Sequence, residues 1–149
     1  MLNRDCAQST AWSRKAIALA QTHGDRELLA SAYGTLGAAL FFIDWDAGVA
    51  EQQRTLDIAL ADGLHWIAAN SYVNVGSAAG ELHRLDVAET WLRRAIDFAS
   101  EHEIDFYRSG GLVRPDALRA SCRANLEFML ESLVSDGSDP VSARETGRL

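Results

Sequence analysis

Residues Tyr72–Ala99 read YVNVGSAAGELHRLDVAETWLRRAIDFA, and this stretch decides the fold. Tyr72, Val75, Gly76 and Ala79 recur at i, i+3, i+4 and i+7, the spacing of one buried helix face. After a polar turn at His83–Asp86, residues Ala88, Leu92, Ala95, Ile96 and Ala99 continue the same periodicity. The pattern predicts two helices folded back on each other, with small residues at the seam between them.

Both halves of the stretch have copies elsewhere. Trp12–Ala20 (WSRKAIALA) is nearly repeated by Trp91–Ala99 (WLRRAIDFA), 79 residues later. Midway lies a weaker copy, Gln52–Ala59, with Thr55, Leu56, Ile58 and Ala59 in matching places. The preceding phrase repeats as well: Tyr33-Gly-Thr-Leu-Gly37 matches Tyr72-Val-Asn-Val-Gly76, 39 residues apart. Two independent phrases with one period of 39–40 residues mark a helical array. The predicted fold is therefore all-α: a right-handed array of antiparallel helix hairpins.

The helices follow in order. A frayed lead-in over 1–7 precedes a first helix over about Gln8–Thr22, with Ala16, Leu19 and Ala20 inward. Gly24-Asp25 ends it, because glycine suits the left-handed position after a helix and aspartate caps the next one. The second helix covers about Arg26–Phe42. The third, capped by Asp44 or Asp46, runs to about Ala61 and is the weakest copy, with Gly48 in place of Ala88 and Gln52 in place of Leu92. Asp62-Gly63 is the next stop signal. The fourth helix, about His65–Leu82, and the fifth, about Asp86–His102, form the best-matched pair, and Glu89 and Arg93 are spaced for a surface ion pair.

From Glu103 the repeat fails. Gly110, Gly111 and Pro115 mark a loop over 106–115. A helix over 116–135 should cap the array by packing on the fifth helix through Leu126, Met129, Leu130 and Leu133. Residues 136–149 lack apolar periodicity and read as a disordered tail. The expected organisation is one helical domain over 1–135, with its repeat body at about 8–105.

Apolar residues make up 48% of the chain, enough for a core. No apolar run approaches the roughly 20 residues that cross a membrane, and the N-terminus has no apolar core of signal-peptide type; a cytoplasmic protein is expected. The net charge of −7 resides in residues 1–106, which hold 8 Lys+Arg against 15 Asp+Glu. An acidic body argues against direct nucleic-acid binding, which needs a clustered basic face. Cys6 and Cys122 have no neighbouring cysteine in sequence, so two reduced thiols are expected and zinc chemistry lacks support.

The Tyr72–Ala99 pair resembles a tetratricopeptide (TPR) repeat. Tyr72, Val75, Gly76, Ala79, Ala88, Leu92 and Ala95 fall in the family's order and spacing, with Gly76 and Ala88 at its two close-packing positions. The unit here is longer than the standard repeat of about 34 residues. In this it resembles the helical repeat region of bacterial transcription regulators of the LuxR/MalT type. The matching phrases are Ala18-Leu-Ala-x-x-His-Gly-Asp25, Tyr33-x-x-Leu-Gly37, Tyr72-x-Asn-Val-Gly76 and Leu85-Asp-x-Ala-Glu89-x-Trp-Leu92. The resemblance implies a non-catalytic protein-interaction or regulatory module, a fragment or stand-alone relative of such a region. Those regulators also carry a nucleotide-binding module and a DNA-binding helix-turn-helix. The chain has no G-x-x-x-x-G-K-[ST] loop and no basic recognition helix, so neither ATP nor DNA binding is expected. The alternative reading is a small-effector-binding sensor domain associated with a signalling enzyme or ATPase.

Residues that could carry chemistry mostly have simpler roles. His23 and His102 sit at equivalent repeat positions near helix C-termini, where histidine satisfies carbonyls and the helix dipole; no metal, cofactor or catalytic group is expected. The acidic run Glu101–Asp105 reads as solvated surface. Trp12, Trp45, Trp66 and Trp91 read as interface aromatics rather than a stacking platform. Asn70, Ser71, Asn74 and Ser77 are harder to dismiss, because they lie on the first helix of a pair, the helix that lines the inner surface of such arrays. Asn74 sits where the TPR family often has a peptide-contacting asparagine, and Thr35 is its repeat equivalent. The candidate partner-binding groove is therefore Thr35, Asn70, Asn74 and Ser77, for a protein or peptide partner.

Overall fold

The computed structural model describes residues 5–102; the expected loop 106–115, capping helix 116–135 and tail 136–149 lie outside the described residues. All regular structure among the described residues is helical: α1 (Cys6–His23), α2 (Arg26–Leu40), α3 (Trp45–Ala61), α4 (His65–Glu81) and α5 (Leu85–Glu101). None of these helices is long and apolar enough to cross a membrane.

Aspartate fixes where the first three helices begin. The carboxylates of Asp5, Asp25 and Asp44 accept the backbone N–H groups of Gln8 (2.9 Å), Leu28 (2.9 Å) and Ala47 (3.1 Å), satisfying donors that have no partner within the helix. Asp44, not Asp46, is thus the cap of α3. Asp5 starts α1 two residues before the expected Gln8, and the lead-in is ordered from this cap onward. Gly24 and Gly63 follow α1 and α3 with φ of 66° and 67°, the left-handed region that costs glycine little. Arg26 at the start of α2 meets Asp62 at the end of α3 at 2.5 Å. That hydrogen bond, and then the charge of Asp62, raise the Arg26 pKa.

Packing follows from small residues placed at the seams. α2 contacts α1, α3 and α4; α4 contacts α2, α3 and α5. Among the described residues the backbones of α1 and α3 do not come together, nor do those of α3 and α5, although Arg84 at the start of α5 lies over the Trp45 ring of α3 at 4.7 Å. A Cβ on Gly76 would lie 2.6 Å from Leu92 Cγ, and one on Gly37 would lie 2.9 Å from the Gly48 carbonyl oxygen and 3.0 Å from Gln52 Cγ. The α2–α3 and α4–α5 seams thus close in the same way at repeat-equivalent residues. Gly48 is not a weakness of its copy: a Cβ there would lie 2.7 Å from the Phe41 ring.

Gln52 also differs from expectation. It is fully buried, together with Thr55 and Ser71. Its Nε2 donates to the Gly34 carbonyl at 2.8 Å, and the Ser71 hydroxyl donates to its Oε1 at 2.5 Å. The Thr55 hydroxyl lies 3.3 Å from the Ala30 carbonyl. These bonds join α2, α3 and α4 through the core. Around them lie Ala30, Leu56, Ala59, Ile67 and Ala68, with Phe41, Val75 and Ala78 toward the other end.

Two groups of apolar residues fall elsewhere than expected. Leu19 is 54% exposed, because it faces away from α2, the one described helix that α1 touches. Trp45 and Trp91 are interface residues, set against Phe41 (5.1 Å) and Tyr72 (5.8 Å). Trp12 and Trp66 are instead 63% and 46% exposed.

Candidate binding groove

α2 and α4 lie side by side, and along their junction run two adjoining cavities of about 350 and 270 Å³. Each helix contributes a stripe at i, i+4, i+7 and i+11, one face of a helix of period 3.6. From α2 come Ser31, Thr35 and Ala38, continued by Phe42 in the turn after it; from α4 come Asn70, Asn74, Ser77 and Glu81. The two stripes are equivalent residue for residue at the 39-residue repeat offset.

All four sequence-predicted residues line these cavities. Thr35 and Asn74 border both, Asn70 borders the smaller and Ser77 the larger. Thr35 and Asn70 are exposed, whereas Asn74 and Ser77 are half-buried. The Thr35 hydroxyl donates to the Ser31 carbonyl at 3.0 Å within its own helix. Among the described residues, the side chains of Asn70, Asn74 and Ser77 make no hydrogen bond. Two amides and a hydroxyl thus present donors and acceptors to the groove. Ser71, grouped with them in the sequence, also borders the smaller cavity but is buried, with its hydroxyl already donated to Gln52 Oε1.

The groove has residues that were not anticipated. Trp66 stands at one end, one turn before Asn70, so the same helical spacing carried the signal. The first turn of α1 closes the other end with Asp5, Cys6 and Ser9; nothing in the repeat links that turn to α4. Among the described residues the lining holds the carboxylates of Asp5 and Glu81 and no basic side chain, although the Asp5 carboxylate also caps α1.

The histidines lie away from the groove. His102 Nδ1 is 3.1 Å from the Phe98 carbonyl at the end of α5, the expected C-terminal role, and its ring lies 4.2 Å from that of His65. Among the described residues no group of three or more His, Cys, Asp or Glu could hold a metal ion.

No protein-family model, curated protein or solved structure matches this chain.

Proposed function

We propose that the chain is a non-catalytic interaction module whose α2/α4 groove binds an extended segment of a partner protein. In this reading the helices form a short right-handed stack of TPR-like hairpins of the LuxR/MalT-regulator type, with α2 and α4 on the inner surface. The contact pattern supports it: α2 and α4 pack together, while among the described residues the backbones of α1, α3 and α5 do not come together. The observation that carries the functional reading is the pair of equivalent stripes whose amides and hydroxyl at Asn70, Asn74 and Ser77 have no partner among the described residues. Such groups suit a peptide backbone, which offers one donor and one acceptor per residue. Each bond contributes only about 0.5–1.5 kcal/mol net, so affinity is spread along the stripe.

The volume of about 350 Å³ also falls at the lower end for small-molecule sites, which is the support for a small effector instead. The continuity of the two cavities through Thr35, Ala38 and Asn74 favours an extended ligand over a compact one. Selection of peptides from a random library on the immobilised full chain, followed by titration, tests the choice. Asn70→Ala combined with Asn74→Ala should weaken the selected peptides several-fold and leave the helical circular dichroism unchanged. Equal binding by the double variant would remove the groove from consideration.

A further inference from the structure

Of Gly24, Gly34, Gly37, Gly48, Gly63 and Gly76, all but one are required by the backbone or by a close seam. Gly24 and Gly63 have positive φ. A Cβ on Gly37, Gly48 or Gly76 would come within 2.9, 2.7 or 2.6 Å of a neighbouring atom. Gly34 lies inside α2 with neither reason. Among the described residues, a Cβ there would meet only Thr55, at 3.5 Å, an ordinary contact. Glycine is a poor helix former, and the repeat-equivalent residue of α4 is Val73. What the missing side chain provides is space, because Gly34 lines the smaller cavity of the α2/α4 groove, of about 270 Å³.

The two ends of the groove differ in chemistry. The larger cavity has the carboxylates of Asp5 and Glu81 in its wall, whereas among the described residues the smaller one is lined by no ionisable side chain. Gln52, Thr55 and Ser71 line it from the core, buried and with their hydrogen bonds made within the fold. Trp66, in the first turn of α4, borders it with a side chain that is 46% exposed. A charged group placed there would lose water and find no counter-charge, which is costly. An uncharged ring avoids that cost and gains an aromatic contact with Trp66. The volume lies just below the roughly 300 Å³ at which small-molecule sites begin, so it suits one side chain better than a whole ligand.

We propose that this cavity is a specificity pocket that takes an uncharged aromatic side chain of the partner segment, packed against Trp66 and into the gap left at Gly34. The inference rests on the reading of the groove given above and adds the class of residue that the partner must carry. The amides of Asn70 and Asn74 hold the backbone of the segment without regard to its sequence, and the pocket selects among sequences.

The probe is N-acetyl-L-tyrosinamide, an aromatic side chain with both ends blocked, titrated into the nitrogen-15-labelled full chain. Backbone amide shifts at Gly34, Thr35 and Asn70 should saturate at millimolar probe, and N-acetyl-L-lysinamide should leave them in place. Gly34→Val, which restores the side chain of the equivalent Val73, and Trp66→Ala should each weaken the response by about fivefold or more, the scale of a lost aromatic contact. Trp66→Ala decides the matter even if Gly34→Val fails to fold. Gly34→Ala should leave the urea midpoint equal or higher, and a lower midpoint would show that packing requires the glycine and overturn the proposal. Absence of saturable shifts, equal shifts with the lysine derivative, or a full response in Trp66→Ala overturns it as well. So does a gain on Phe106→Ala with Tyr107→Ala, which would give the pocket to the chain's own residues after α5, or a dimer that Trp66→Ala abolishes, which would give it to a second copy. Selected peptides that need Asn70 and Asn74 but no aromatic residue would remove the pocket and keep the groove. A saturable probe response with no peptide ligand would keep the pocket and remove the extended partner.

Discussion

Gln52 stands where the two other copies of its phrase have Ser13 and Leu92, and its amide bridges the Gly34 carbonyl and the Ser71 hydroxyl at full burial. Restoring the apolar residue, Gln52→Leu, makes the third helix more like the fifth and keeps the volume similar. It also takes the closest acceptor from a buried hydroxyl, a cost of about 1–3 kcal/mol. We expect Gln52→Leu to destabilise the protein by that amount in a urea titration. Replacing both partners with apolar groups removes the unmet bond, so adding Ser71→Ala should recover most of the loss. A single variant more stable than the parent would mean that the bridge contributes nothing net. This bridge was not legible in the sequence. Periodicity marks position 52 as a core position but cannot say that a serine 19 residues later reaches the same point, so the glutamine reads there as a fault.

The helices themselves were far more legible, because their signals are local. Asp25, Asp44, Gly24 and Gly63 each act within a few residues of their own helix end, and the stripe through Asn70, Asn74 and Ser77 is set by helical geometry alone. What lies opposite a helix face is not local, which is why Leu19, Trp12 and Trp66 were assigned an interior they do not have. At the α4–α5 seam, local and non-local information agree. Gly76 repeats Gly37 in sequence, and a Cβ there would sit 2.6 Å from Leu92 Cγ and 3.2 Å from the Leu92 backbone nitrogen. Gly76→Val should therefore cost roughly 1–3 kcal/mol or more through overpacking, far beyond the gain of about 1 kcal/mol or less that losing a mid-helix glycine brings. A urea midpoint equal to that of the parent would show that the two helices can part there without loss.

Across the whole molecule, stability should be graded from α4 outward. α4 contacts three helices and buries nine of its own residues, Ile67, Ala68, Ala69, Ser71, Val75, Gly76, Ala78, Ala79 and Gly80. It also supplies a member of each core cluster: Ile67 and Ala68 in one, Val73 beside Leu92 and Ala99 in another, Val75 and Ala78 in the third. Among the described residues α1 contacts α2 alone, and of α1 itself Ser13 and Ala20 are buried. When elements are held by their neighbours, opening free energy tracks the contacts that must be broken. α1 should then open without the rest, while α4 opens only when its three neighbours are released. Native-state hydrogen exchange of the full chain should show amides in the middle of α1 exchanging by sub-global opening well below the global stability, and amides in the middle of α4 exchanging near it. If the free chain already protects α1 as strongly as α4, this gradient is absent and α1 is held by contacts beyond those it makes with α2.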